Sequence, residues 1–302
     1  MRRDIEELKN MADKKVWEEE RAYLADTASV MQAEIHEIDH RFTIGVVAAN
    51  ETTEESIRQL YEARYRELLN AVGSPYFARI DFTAVGDEME KIYIGKTSVH
   101  GEGNKIIVTD WRAPISNLYY DGRTGATDFK SPNGLVRGDL TLKRHLTISK
   151  GKLENIEDVD IISKSLLKSV SAKPDASADI IANKEQPDTD TIDVSTIDNM
   201  LESSLAALSD SQLKSIVATI QAEQNIVIRA DMHRKYIVQG AAGSGKTSVA
   251  LHRIAYLAYV LGKEFRPESF LILTQSGLLL NYISNILPDL GVERVHSVLL
   301  RN

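Results

Sequence analysis

From Trp17 onward the apolar positions Leu24, Ala28, Met31, Ile35, Ile38 and Phe42 step by fours and threes, the spacing of a helix with one apolar seam. The pattern predicts a single helix over residues 3–45, on the order of 60 Å long at about 1.5 Å per residue. A break at Gly45 or near Asn50 follows. Thr52 and Glu55 then form a capping-box pattern, and Ile57, Tyr61, Tyr65, Leu68 and Val72 repeat the stepping before Gly73 and Pro75. Two seams within residues 1–75 predict an antiparallel helical hairpin, a coiled-coil arm able to probe a partner; a helix pair folded onto the main body is the alternative.

At Tyr76 the period shortens to two. Strands are expected at Phe77 to Phe82, Lys91 to Ile94, Lys105 to Asp110, Ser116 to Tyr120 and Thr141 to Ile148, with turn signals between them. Residues 76–153 therefore read as a small antiparallel β module, a barrel or a curled sheet. Within it Asp110-Trp111-Arg112-Ala113-Pro114 places opposite charges beside a Trp and a Pro. A buried Asp–Arg bridge fixing a strand end is the commoner use of such a cluster, and ligand or partner binding the alternative. Asp87-Glu88, just after Gly86, imitates a Mg²⁺-holding acidic pair but reads as the turn into the Lys91 strand.

Residues 154–170 have helical character, and the stretch that follows is rich in acids with few aromatics, so 154–210 is expected to be a helix plus an acidic flexible linker. That stretch accounts for most of the net charge: residues 171–205 hold eight acids and two bases against a total of −8. The remainder is close to neutral, and extensive nucleic-acid binding by bulk charge is not expected. With 302 residues and 43% hydrophobic content the chain has room for two domains and a sizeable core. No apolar run approaches the ~18 residues of a membrane span, and the opening MRRDIEELKNM lacks a signal peptide's apolar stretch. A cytoplasmic protein is expected. The absence of cysteine excludes disulfides, a thiol nucleophile and thiolate metal sites.

The densest chemistry lies at residues 240–247, Gly240-Ala241-Ala242-Gly243-Ser244-Gly245-Lys246-Thr247, the phosphate-binding-loop pattern. Glycines at 240, 243 and 245 permit turn dihedrals, so that the amides of residues 242–247 can converge on phosphate oxygens. Lys246 supplies a mobile charge for the β and γ phosphates, and Thr247 a hydroxyl for Mg²⁺ at the start of a helix whose N-terminus favours anions. Tyr236-Ile237-Val238 is expected as the buried parallel strand before the loop, and Val249, Ile254, Leu257 and Leu261 mark the helix after it. Phe270 to Thr274 would be the next buried strand, and Leu279 to Leu287 a helix ended by Pro288 and Gly291. Gln224, sixteen residues before Gly240, can offer one donor and one acceptor to the N7 and N6 edge of adenine.

The stretches TIQAEQNIVIRA, VQGAAGSGKTSVALHRIAYLAY and FLILTQSGLLLNYISNILPDLG resemble the opening of a superfamily 1 UvrD-like helicase motor. KIYIGKTSV, DWRAPISNLYYD and the leading hairpin make the chain similar, over nearly its whole length, to the amino-terminal part of HelD-like proteins. The resemblance implies an α/β fold: a partial P-loop NTPase (RecA-like) motor domain over 211–302, preceded by the helical hairpin and the β module. It further implies an ATP- and Mg²⁺-dependent ATPase that displaces nucleic acid from bacterial RNA polymerase, the hairpin entering the polymerase's secondary channel. Core RNA polymerase would be the partner, with DNA engaged through the complete motor. In that scheme Gln224 reads adenine, residues 240–247 hold the phosphates, Lys246 is the catalytic lysine and Thr274-Gln275-Ser276 form the next strand-end contact. Acids at the hairpin tip, which some relatives place in the polymerase active centre, reduce here to Glu51 with Glu54 and Glu55. After Thr247 the acids Glu264, Glu268, Asp289 and Glu293 include no adjacent pair, so hydrolysis is expected to need a further part of the motor. The rival reading is a non-catalytic polymerase-binding module with a vestigial nucleotide site; a generic DNA helicase is the third.

Overall fold

The computed structural model describes residues 2–45, 51–121, 124–159, 216–241, 243–262, 267–292 and 294–300. The expected hairpin turn at 46–50, residues 160–215, which include most of the 154–210 helix-and-linker segment, Ala242, Glu264 and Glu293 lie outside the described residues.

Two helices open the chain, α1 (Arg2–Ile44) and α2 (Glu51–Ala71). The second starts one residue ahead of the Thr52 cap that the spacing predicts. Their facing side chains run in opposite senses. The Arg64 guanidinium forks Glu34 at 2.7 and 2.9 Å, whereas Arg41, further along α1, donates to the Tyr61 hydroxyl, earlier in α2, at 3.0 Å. The helices therefore pack antiparallel, as the seams predict.

The sheet has seven strands. β1 (Ala78–Ala84), β2 (Met89–Gly95), β3 (Val99–His100), β4 (Ile106–Asp110), β5 (Gly125–Ser131) and β6 (Gly134–Ser149) lie in the order β3-β4-β2-β1-β6-β5, and β7 (Lys152–Asp158) also pairs with β6. β6 holds β5 with its first half, β1 with its middle and β7 with its end. Because β2 and β4 run parallel the sheet is mixed, a correction to the antiparallel module expected from the alternation. Alternation gives which face a residue takes; the sense of the connection through 96–105 is not in that signal. Two further expectations change. Ser116 to Tyr120 is helical, a 3₁₀ turn at Pro114–Ser116 running into α3 (Asn117–Tyr120), because Pro114 favours a turn start and supplies no donor for a ladder. Residues 154–158 are strand β7, whose half-buried alternation against β6 overrides the helical character of its sequence. At Gly138, opposite Ala84, an added Cβ would collide with the Thr83 carbonyl oxygen and the Phe82 ring, so only glycine lets β6 lie this close to the end of β1.

Period two along β1 divides the molecule into layers. Ile80 and Phe82 join one core with Ile92, Ile94, Trp111, Leu118 and Leu140. Tyr93, Val108 and Leu146 join the opposite core with Leu24, Met31 and Ile38 of α1 and Leu68 of α2. The helix pair thus covers one face of the sheet rather than standing off from it as a separate domain over 1–75. Tyr23 stacks on Tyr93 with ring centroids 3.7 Å apart and donates to the Ile107 carbonyl at 2.7 Å.

At the centre of this contact Glu20 is completely buried, accepting from Arg79 of β1 at 2.8 Å and from Arg144 of β6 at 3.0 Å. Asp81 and Asp158 take the remaining edges of the two guanidinium groups at 2.7 and 2.6 Å. A buried carboxylate between two cations fixes the position of α1 along the sheet, since a slide of one helical turn would strand the Glu20 charge while Arg79 and Arg144 kept Asp81 and Asp158. Glu20→Ala is expected to cost about 3–5 kcal/mol, the usual loss when one partner of a buried pair is removed. It would appear as a lowered urea midpoint, whereas Glu18→Ala, which removes an exposed pair with Lys14, should leave the midpoint unchanged.

Candidate functional site

On the sheet face opposite α1, a short 3₁₀ turn at Ile216–Thr219 leads into α4 (Ala222–Ile228), and α5 (Lys246–Val260) and α6 (Gly277–Asp289) follow. Residues 240–247 form the entrance to α5. Gly243 and Gly245 take φ of +79° and +81°, the left-handed region that glycine adopts without strain, and Gly245 is the N-cap of α5. Gly240 meets the loop differently: a Cβ there would fall 2.6 Å from the Ser244 hydroxyl, which would have to turn away. The Ser244 amide closes a turn onto the Ala241 carbonyl at 3.2 Å. Lys246 folds back over this turn, its ammonium donating to the Gly240 and Ala241 carbonyls at 2.8 and 2.7 Å. Thr247 stands exposed in the first turn of α5. The bend is thus closed on itself at the start of α5, with the Lys246 ammonium held by two of its own carbonyls.

Gln224 is brought to the same place. It closes the capping box of α4, its carbonyl oxygen accepting from the Gln221 amide at 3.1 Å, while its Nε2 points toward the Ser244 carbonyl at 3.4 Å. A Cβ on Gly245 would touch that same nitrogen at 3.0 Å. The glutamine and the glycine turn, sixteen residues apart in sequence, are therefore neighbours in space.

The surroundings of the turn depart from expectation. Tyr236, Ile237 and Val238 form no strand and are 41%, 91% and 43% exposed. β8 (Leu271–Thr274) appears where the spacing places it and pairs in parallel with β9 (His296–Leu299), but Leu271 and Leu273 are largely exposed rather than buried. An apolar run becomes an interior strand only when ladders and covered faces are available on both sides. Among the described residues β8 and β9 pair only with each other, and 236–238 joins neither. Helix α6 spans Gly277–Asp289 and includes Pro288 in its last turn, ending two residues beyond the expected Leu287.

Asp110 and Arg112 form the buried bridge that the sequence favours. The Arg112 amide and Nε donate to Asp110 Oδ1 at 2.7 and 2.8 Å and its Nη2 to Oδ2 at 2.6 Å. The remaining nitrogen, Nη1, donates to the Leu290 carbonyl at the C-cap of α6, so this turn of the sheet also holds the second half of the chain. Burial tends to lower the Arg112 pKa, but the Asp110 charge more than offsets it and the guanidinium is held above its ordinary value. Trp111 sits edge-on to His252 of α5 at 5.6 Å. Asp87 and Glu88 lie exposed in the turn between β1 and β2, far from residues 240–247 in the fold's order.

Asn225 and Arg229 carry no role legible from sequence, although both stand in the stretch that carries the resemblance. Asn225 is buried and donates to Asn117 of α3 at 2.7 Å; Arg229 donates to the Trp111 carbonyl at 2.6 Å. Their signal in sequence was only proximity to Gln224, one residue and five residues downstream.

An α/β protein emerges in which a helix pair covers one face of a mixed sheet and a glycine-rich helix entrance with its glutamine lies toward the other. Residues 17–172 match the family described as DNA helicase IV HelD, N-terminal domain, and since the match spans more than half of the 302 residues the chain belongs to that family. No curated protein matches it. Glu20, Arg79, Asp110, Arg112 and Arg144 fall inside the matched region; Gln224 and residues 240–247 fall after it. Among the described residues no helix is long and apolar enough to cross a membrane.

Burial lowers the imidazole pKa of His252, whose Nδ1 lies 2.7 Å from the Ser248 carbonyl, and of His145, below their ordinary 6.5. With folded values depressed, both stay neutral in the fold while the unfolded chain takes up protons. Stability present above pH ~6.5 is therefore lost as pH falls toward the folded values. The thermal midpoint is expected to drop between about pH 7 and about pH 5, and the drop should be smaller in His252→Gln.

Proposed function

We propose that this chain is the nucleotide-binding front portion of a HelD-type helicase, and that residues 240–247 with Gln224 bind Mg·ATP. The observation that carries the reading is the meeting of two chemistries at one helix entrance: Lys246 over the Gly240 and Ala241 carbonyls, and the Gln224 amide beside Ser244. In this account the triphosphate replaces the loop carbonyls as the partner of Lys246, and the amides from Gly243 to Thr247 face its oxygens. Adenine exchanges with the contacts that Gln224 makes to Gln221 and Ser244. Thr247, exposed beside Lys246, is suitably placed to give Mg²⁺ a hydroxyl ligand.

ATP hydrolysis is assigned to this site within the complete motor, coupled to displacement of nucleic acid from core RNA polymerase in the cytoplasm, with DNA engaged by the motor as a whole. The family membership supports that assignment, as does the antiparallel helix pair, whose far end presents Ile44, 67% exposed, and Leu60, 74% exposed, to a partner. The adjacent acids and the arginine that phosphoryl transfer uses are not found around the turn among the described residues: Glu268 pairs with Arg294, and Asp289 closes α6. This chain's own residues thus account for binding rather than for the chemical step.

Titration of the folded chain with Mg·ATP in a calorimeter should give one-site binding, weakened roughly 10- to 100-fold by Lys246→Ala, the range for loss of a hydrogen bond to a charged group. Binding to core RNA polymerase in the absence of nucleotide should survive that substitution. No heat at millimolar Mg·ATP, or equal affinity of wild type and variant, overturns the reading.

A further inference from the structure

Helix α4 has only seven residues, too few to hold a position by its own hydrogen bonds, yet it carries Gln224. Three attachments fix it. Asn225, the residue next to Gln224, donates through Nδ2 to Asn117 Oδ1 of α3 at 2.7 Å. Its Oδ1 accepts from Arg229 Nε at 2.9 Å. Arg229 in turn places Nη2 on the Trp111 carbonyl at 2.6 Å and shares Nη1 between the Arg112 and Ala113 carbonyls, each at 3.4 Å. Its guanidinium also lies over the rings of Tyr256 and Tyr120, 4.9 and 5.9 Å from their centroids. From the other side Arg253 of α5 donates to the Val227, Ile228 and Ala230 carbonyls at 2.8, 3.2 and 2.9 Å, closing the end of α4 onto the helix that Lys246 begins.

Arg229 makes no salt bridge among the described residues: carbonyls, an amide oxygen and the side chains of Tyr256 and Tyr120 surround it, with the Asp110 charge acting only from further away. A cation enclosed in this way is a costly means of stabilisation, and an apolar side chain of similar length would fill the space more cheaply. What the planar fork supplies instead is direction, since five fixed N–H vectors allow one orientation of α4 against the Trp111–Ala113 turn.

We propose that Arg229, acting with Asn225, is a positioning residue that sets adenine specificity by locking Gln224 to the helicase-family module. The inference rests on the reading above, in which residues 240–247 hold a triphosphate and Gln224 meets the base. Triphosphate contacts belong to α5 and its entrance; base contacts belong to α4. Loosening α4 therefore weakens recognition of adenine and leaves phosphate binding in place.

The test measures binding of fluorescent ATP and GTP, each with Mg²⁺, to the full chain. Wild type should prefer ATP, and Arg229→Met should lower ATP affinity about tenfold with GTP affinity unchanged, within the range of couplings carried between sites. The ATP:GTP ratio should fall to that of Gln224→Ala, and the double variant should show no further loss, because both substitutions remove the same contact. Asn117→Ala, which acts from within the sheet module and leaves α4 chemically intact, should lower the ratio in the same direction and keeps the test open should Arg229→Met fail to fold. Arg229→Lys should recover the ratio only in part. Equal weakening of both nucleotides, or an adenine preference that survives Arg229→Met and Asn117→Ala, overturns the inference while the site stands. Absence of any nucleotide binding by wild type removes the site and the inference together.

Discussion

The turn from Asp110 to Ala113 holds the two halves of this molecule together, and the Asp110–Arg112 pair holds the turn. Both charges are buried, and the carboxylate accepts three donors from one residue, its amide included. With Arg112 locked in that way, its last nitrogen is aimed at the end of α6 and the carbonyls of residues 111–113 face the guanidinium of Arg229. Trp111 meanwhile is pressed edge-on to His252 of α5. Each of the three later helices is thus gripped by a different atom set of four consecutive residues. The cost of burying the pair is offset by its own geometry, so the turn has a single conformation to offer.

A second buried charge cluster performs the equivalent task on the other face. Glu20 with Arg79 and Arg144 fixes α1 against β1 and β6, and Arg64 ties α2 to Glu34 and to the Thr97 hydroxyl and Ser98 carbonyl at the sheet edge. Apolar contacts between α1 and the sheet supply most of the area, but an apolar seam with a three-four repeat would also fit one turn away; the charges select the register. A continuous series of polar contacts therefore runs from the helix pair through the sheet to the 110–113 turn and on to α4.

How much of this was legible in sequence depended on which interactions were local. The seams of α1 and α2 and the alternation of β1, β2, β4 and β6 follow from spacing alone, and the Asp–Arg bridge from residues two apart. The glycine positions at 240–247 carried their own dihedral requirement, which the structure meets at Gly243 and Gly245. The parallel sense of β2 and β4, the strand at 152–158 and the helical turn at 114–120 were hidden, because partners distant in sequence or a single proline decided them. Tyr236 to Val238 shows the same limit in reverse: its apolar character is genuine, but whether such a run is interior depends on neighbours that the run cannot encode. Asn225 and Arg229 were unreadable for a related reason, since their acceptors lie more than a hundred residues upstream.

The groups that receive Arg229 at residues 111–113 are main-chain oxygens, which every amino acid provides. The Ala113 side chain takes no part in this docking surface, whereas Arg112 enters it twice, through its own carbonyl and through the bond to Asp110 that sets the bend. The joint with α4 therefore reads the path of the backbone at 111–113, while the side chains of Trp111 and Arg112 are left to grip α5 and α6.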